Sequence, residues 1–261
     1  MKRNLVLLAM VVLTSVLSHN SFGQSKKLSF YELKVYHLKD KTQESVVDDY
    51  LKDAFLPALG RKGIKSVGVF KPVGNDTTQD RRIYVLIPFK SANEFADLSE
   101  SLDKDPTYNA AGKAYLEASH DNVPYKRMES ILLKAFANMP NLQVPKLKNG
   151  MQNRVYELRS YEGPTEKMYT KKVHMFNQGG EIDLFTRMGF NAVFYGTVLA
   201  GSKKPNLMYM TTFEDMPSRD AHWKTFVDDA GWKKLSAIEY YKNTVSHADI
   251  ILLHPAEYSG I

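Results

Sequence analysis

The chain resembles itself, and this self-similarity limits its fold more than any other feature. Phe30-Tyr31-Glu32-Leu33-Lys34-Val35-Tyr36 returns 125 residues later as Val155-Tyr156-Glu157-Leu158-Arg159-Ser160-Tyr161. Residues 84–89 match 208–213, and Asp105-Pro106-Thr107-Tyr108 matches Asp229-Ala230-Gly231-Trp232, both at an offset of 124; residues 130–133 match 250–253 at 120. Four matches in one order at a near-constant offset predict two copies of one domain. The period is too long for a solenoid repeat. In the first copy, alternation predicts a strand over 29–38. A helix follows over 42–62, with Thr42 as N-cap and Gly63 just past its end. Strands are expected at 64–72 and 82–89. Ser91 with Glu94 marks a capped helix to about 102, Asp105-Pro106 restarts a helix, and a last strand covers 128–136. The second copy repeats the order: a strand from Arg154, a helix from Thr165, strands near Phe190 and Leu207, helices near Ser218 and Trp232, and a strand near Asp249. The order β-α-β-β-α-β predicts an α+β protein of two tandem ferredoxin-like domains, each a four-stranded antiparallel sheet with helices on one face. The bare sheet face requires a partner, either the other copy or another molecule. The expected boundaries are 25–137 and 153–261, joined by a linker over 138–152 rich in Pro, Asn and Gly.

The N-terminus reads as an export signal. Lys2 and Arg3 precede an apolar run from Leu5 to Leu17, then a polar stretch and Gly23-Gln24. This is the layout of a signal peptide cut near residue 24, and the run is short for a membrane span. The expected product is periplasmic or secreted, with no stable membrane anchor. The formal charge of +6 falls to about +4 without that segment. The excess is scattered, so nucleic acid is not an expected partner. With no cysteine in the chain, disulfides, thiolate metal sites and a cysteine nucleophile are excluded.

The Tyr156-Glu157-Leu158-Arg159-Ser160-Tyr161 strand, followed by a helix and then by Ser218-Arg219, Ala221-His222-Trp223 and Gly231-Trp232, resembles the NIPSNAP family. Met128-Glu129-Ser130-Ile131-Leu132-Leu133 resembles the end strand of the same domain. The resemblance extends over nearly the whole chain beyond the signal, twice, and implies tandem NIPSNAP-like domains of the dimeric α/β-barrel type. Related barrels include haem-degrading monooxygenases, chlorite dismutases and cofactor-free oxygenases. The first copy lacks both tryptophans and has Tyr108 where the second has Trp232.

Candidate site residues follow from strand alternation. Tyr31, Leu33 and Val35 share one face, while Glu32, Lys34 and Tyr36 share the other. Glu157, Arg159 and Tyr161 form the matching row in the second copy. The apolar set is expected under the helices, which turns the Glu-basic-Tyr row toward the barrel interior as a polar pocket floor. The alternative is that Glu and its basic neighbour two residues on neutralise each other. His222 is a candidate axial haem ligand and Trp223 a stacking wall for a flat ligand. His174 is expected on a solvated helix face. His37, His120, His247 and His254 show no metal-ligand spacing, so no metal or cofactor is expected. No phosphate loop, zinc helix or nucleophile elbow occurs. The expected function is a small-ligand-binding or self-assembling module. The alternative is a monooxygenase-like or haem-handling enzyme that uses the barrel lumen.

Overall fold

The structure, a computed structural model, describes residues 27–261. The segment read as a signal peptide lies outside them. The strands are β1 (Phe30–Leu38), β2 (Gly68–Pro72), β3 (Arg81–Phe89), β4 (Arg127–Ala135), β5 (Val155–Glu162), β6 (Asn191–Ala200), β7 (Asn206–Phe213) and β8 (His247–Pro255). They close into one antiparallel barrel in the order β1-β3-β2-β8-β5-β7-β6-β4.

This corrects the expectation of two tandem ferredoxin-like domains: the chain is a single α+β domain built on one eight-stranded barrel. The physical reason is edge pairing. Each half alone would be a four-stranded sheet with two unpaired edges. Here Phe70–Pro72 pairs with residues of β8, and Leu132–Ala135 pairs with residues of β6, so both edges are closed within the chain. The lumen core is likewise shared. Tyr31, Leu33 and Val35 of β1 pack there with Tyr156 and Leu158 of β5, Met208 and Met210 of β7, and Leu253 of β8.

The helices cover the outside. In the first half they are α1 (Lys41–Tyr50), α2 (Leu56–Arg61), α3 (Ala92–Ala96), α4 (Leu98–Asp103), α5 (Pro106–Ala111) and α6 (Lys113–Leu116). In the second half they are α7 (Glu166–Asn177), α8 (Glu181–Arg187), α9 (Met216–Asp228) and α10 (Ala230–Ser236). Asp40, not Thr42, caps α1 by accepting from Gln43 N. Between α1 and α2 the helix widens into a π turn, Leu51–Phe55, directly ahead of Pro57. Proline lacks the N–H that an α turn would use there. Gly63 ends the helical run at φ 78, a conformation that suits glycine. Thr165 caps α7, Asp215 caps α9, and Asp105 and Asp229 cap α5 and α10. The segment 138–152 lies against the barrel. Ser29 N donates to Pro140 O, Gln143 N to Val193 O, and the amides of Lys148 and Asn149 to the Glu214 carboxylate.

The face assignment on the first strands also needs correcting. The apolar rows face the lumen, and Glu32-Lys34-Tyr36 and Glu157-Arg159-Tyr161 face the helices. A closed lumen packed from both half-sheets admits no unpaired charge. The helix layer supplies partners for the ionic row.

Candidate functional site

The second half holds a chamber of about 340 Å³ between its sheet and α7–α10. β5 and β7 form the floor. Alternation places Glu157, Arg159 and Tyr161 on it, and Tyr209 stands directly across from Arg159. Lys172 comes from α7, Glu181 and Phe185 from α8, Arg219, Trp223 and Phe226 from α9, and Trp232 from α10. Arg219 and Trp223 are four apart, so α9 presents both on one face.

Glu157 is fully buried and fully partnered. It accepts from Arg159 Nε, from Arg219 Nε at 2.6 Å and from Trp223 Nε1 at 2.9 Å. Such a carboxylate anchors its neighbours, because all three donors converge on it in a buried place. Arg159 Nη1 donates to Tyr161 at 2.9 Å, and Tyr161 and Tyr209 share a hydroxyl–hydroxyl bond of 2.9 Å. The Trp223 ring covers the guanidinium, with Cζ 3.7 Å from its centroid. Burial opposes the charge on Arg159, but Tyr209, Tyr161 and Glu157 outweigh it and hold the group protonated. Burial raises the Tyr209 phenol well above its ordinary range, so it stays neutral. Arg159 Nη2 donates to no protein group among the described residues, while its side chain lines the chamber. Lys172 and Glu181 form a second buried pair at 2.8 Å. The Tyr195 hydroxyl, whose ring stacks on Tyr209 at 5.5 Å, and the Thr211 hydroxyl are buried without partners among the described residues.

Of the expected candidates, Arg159, Tyr161 and Trp223 therefore meet at this chamber with Glu157 behind them. Glu32, Lys34 and Tyr36 occupy the matching floor of the first half, where aromatic packing fills the space. His222 does not join them. Its Nδ1 hydrogen-bonds to Ser218 O at 2.7 Å, and its ring packs on Phe190 and Phe213. His174 bonds to the Tyr241 hydroxyl at 2.9 Å, so it is not a freely solvated residue. Haem held by a histidine does not fit this chamber: its lining contains no imidazole, and its two tyrosines bond to each other. Sequence spacing missed Lys172, Glu181 and Arg219, which come from three separate helices. It also missed a cross-strand set, because Glu162, His247 and Asp249 bring one donor atom each within 4.8 Å of one another.

The NIPSNAP family model matches residues 156–260. The resemblance read over both halves is thus corrected: the model covers the second half, and both halves belong to one continuous barrel. No curated protein sequence matches the chain. Two solved structures, each named "putative monooxygenase", share its fold. One, from Lactobacillus acidophilus NCFM, is 12% identical with a TM-score of 0.56, covering 87% of this chain and 94% of its own. The other, from Fusobacterium nucleatum, is 9% identical with a TM-score of 0.53, covering 87% and 92%. An anthrone oxidase-like protein is 10% identical with a TM-score of 0.50, covering 89% and 93%. At these identities the likeness establishes the barrel fold. Among the described residues no helix is long and apolar enough to cross a membrane.

Proposed function

We propose that the chain is a monooxygenase-like enzyme whose second-half chamber binds a small, flat, anionic molecule. The observation that carries this reading is the unpartnered Nη2 of Arg159, a residue that lines a chamber walled by Trp223, Trp232, Phe185 and Phe226. Aromatic walls select a flat ring system, and a desolvated guanidinium selects a carboxylate, phenolate or enolate. Arg159, Lys172 and Arg219 gather three cations at the chamber, with Glu157, Glu181 and the exposed Asp220 as their counter-charges. The barrel fold shared with proteins named as monooxygenases and with an anthrone oxidase-like protein supports the same class. In that chemistry an electron-rich carbanion of the substrate reacts with dioxygen. A methylene between aromatic rings becomes a carbonyl and water is the second product, so the substrate supplies the electrons. Arg159 would stabilise the anion as it forms.

Oxygen uptake measured with anthrone-type substrates tests this. Substrate-dependent uptake is expected, with a loss of about a hundredfold in Arg159→Gln. Saturable binding without uptake would replace the enzyme by a ligand-binding module. Export to the periplasm or medium is proposed from residues 1–24, and N-terminal sequencing of the product secreted by an expression host tests it.

A further inference from the structure

The mouth of the barrel carries a second cluster that the chamber does not use. The lumen face of β5 runs outward from Leu158 through Ser160 to Glu162, and that of β8 from Ile251 through Asp249 to His247. Glu162 and His247 are direct cross-strand partners, with Asp249 one pleat inward. Asp249 also lines a cavity of about 160 Å³ in the mouth, together with Leu33, Val35 and Leu158. The three donors thus sit on paired strands at the edge of a solvent-accessible space.

The charges call for a cation. Asp249 meets Lys203 Nζ at 2.5 Å, and that lysine is presented from a left-handed backbone at φ 63. Glu162 makes no ion pair among the described residues, and His247 contacts Asp249 alone, Nε2 to Oδ1 at 3.1 Å. The first half provides an internal control. His37 also stands between two carboxylates at the mouth, but both its nitrogens are taken, Nδ1 by Asp80 at 3.1 Å and Nε2 by Glu129 at 2.5 Å. An imidazole with carboxylates occurs on both sides of the mouth, and the second side keeps donor atoms open.

We propose that Glu162, His247 and Asp249 form a binding site for a divalent transition-metal ion such as zinc or manganese, with its remaining positions filled by water in the mouth. One imidazole with two carboxylates is a donor set for these ions, whereas calcium and magnesium favour oxygen alone. Donors at about 2.0–2.2 Å from one ion stand about 3 Å apart. The exposed His247 side chain can rotate to close the cluster to that spacing. Lys203 would leave Asp249 when the ion enters.

The test is titration of tag-free, chelator-treated protein with Co²⁺, followed by its visible bands, and with Zn²⁺ by calorimetry. One equivalent is expected to bind. His247→Ala and Asp249→Asn should each weaken it by at least about tenfold, His37→Ala should leave it unchanged, and Lys203→Ala should tighten it. Circular dichroism of each variant checks folding, since all four positions are at the rim. Absence of stoichiometric binding overturns the proposal. So does binding that survives His247→Ala, or that falls equally in His37→Ala.

Discussion

Behind β1, Lys34 Nζ lies 3.7 Å from Glu32 and 5.2 Å from the Phe55 ring, and the space above it is closed by aromatic side chains. Tyr50 and Tyr115 stack at 3.7 Å, and Tyr50 bonds to the Tyr108 hydroxyl at 2.8 Å. Behind β5, Arg159 occupies the position of Lys34, Tyr209 stands across from it where the first half has Val85, and a chamber remains open. The strand order around the two halves of the ring is the same. What differs is the partner chemistry. Lys34 is a point charge set near one carboxylate and over the Phe55 ring, whereas the Arg159 fork divides its donors between Glu157 and Tyr161 and keeps one edge over. Tyr209 then takes up Tyr161 and keeps the floor polar, where Val85 lets the first half pack dry. Comparison of the halves therefore separates an ionic row packed under aromatic side chains from one that lines an open chamber and is proposed to serve recognition.

The sharpest way to break this comparison is to neutralise the two glutamates. Glu157→Gln leaves Arg159 and Arg219 without their shared counter-charge and should cost about 3–5 kcal/mol in urea unfolding. Glu32→Gln loses one ion pair and reduces the bond from Ser130 to a neutral one, and should cost about 1–3 kcal/mol. Equal losses would mean that the second half's network is no more integrated than the first's. A smaller difference is expected from the packing. Tyr50→Leu removes a stacked ring and a hydroxyl bond and should cost about 1–3 kcal/mol. Val227→Ala, on the exposed wall of the chamber, should stay within about 0.5 kcal/mol. Similar costs at both positions would show that the second half is as tightly filled as the first.

The acid response should show the halves agreeing. Asp105 and Asp229 each cap a helix and pair with an arginine, Arg61 and Arg187. In both, the arginine bond comes first in holding the carboxyl below its ordinary range. A depressed folded-state value means that the stabilisation is present above the ordinary carboxylate range and is lost as pH falls through the folded value. Asp105→Asn and Asp229→Asn should each lower Tm at pH 7, with the deficit shrinking toward zero in strong acid. A deficit that persists in acid in one half alone would show that its carboxylate acts through something other than its charge.

Sequence alternation made the rows of β1 and β5 legible, and capping chemistry placed the start of α3 at Ser91 but that of α1 at Thr42 where Asp40 is the cap. Period two separates the faces of a strand but does not say which one the helices cover. The helix side was assigned from apolarity, yet Tyr31-Leu33-Val35 had to fill a lumen shared with the other half. Ring closure was illegible because it depends on which edges meet, and the short β2–β8 ladder of Phe70–Pro72 leaves no pattern of its own. The Arg219–Trp223 spacing on α9 was the signal that could have brought Arg219 to the site. Lys172 and Glu181 are brought together across the Gly179-Gly180 break, where Gly180 at φ 88 sends α8 back over α7. His247 and Glu162 meet through strand register, which spacing along the chain does not reveal.

The most direct test uses the two tryptophans of the chain, both of which line the chamber. Their fluorescence therefore reports on the second half. Titration with a flat aromatic anion such as 1-hydroxy-2-naphthoate should quench it saturably, and Arg159→Gln should abolish the saturable phase while leaving the fold intact by circular dichroism. Quenching that stays linear, or that persists unchanged without Arg159, would contradict the claim that this chamber recognises an anion.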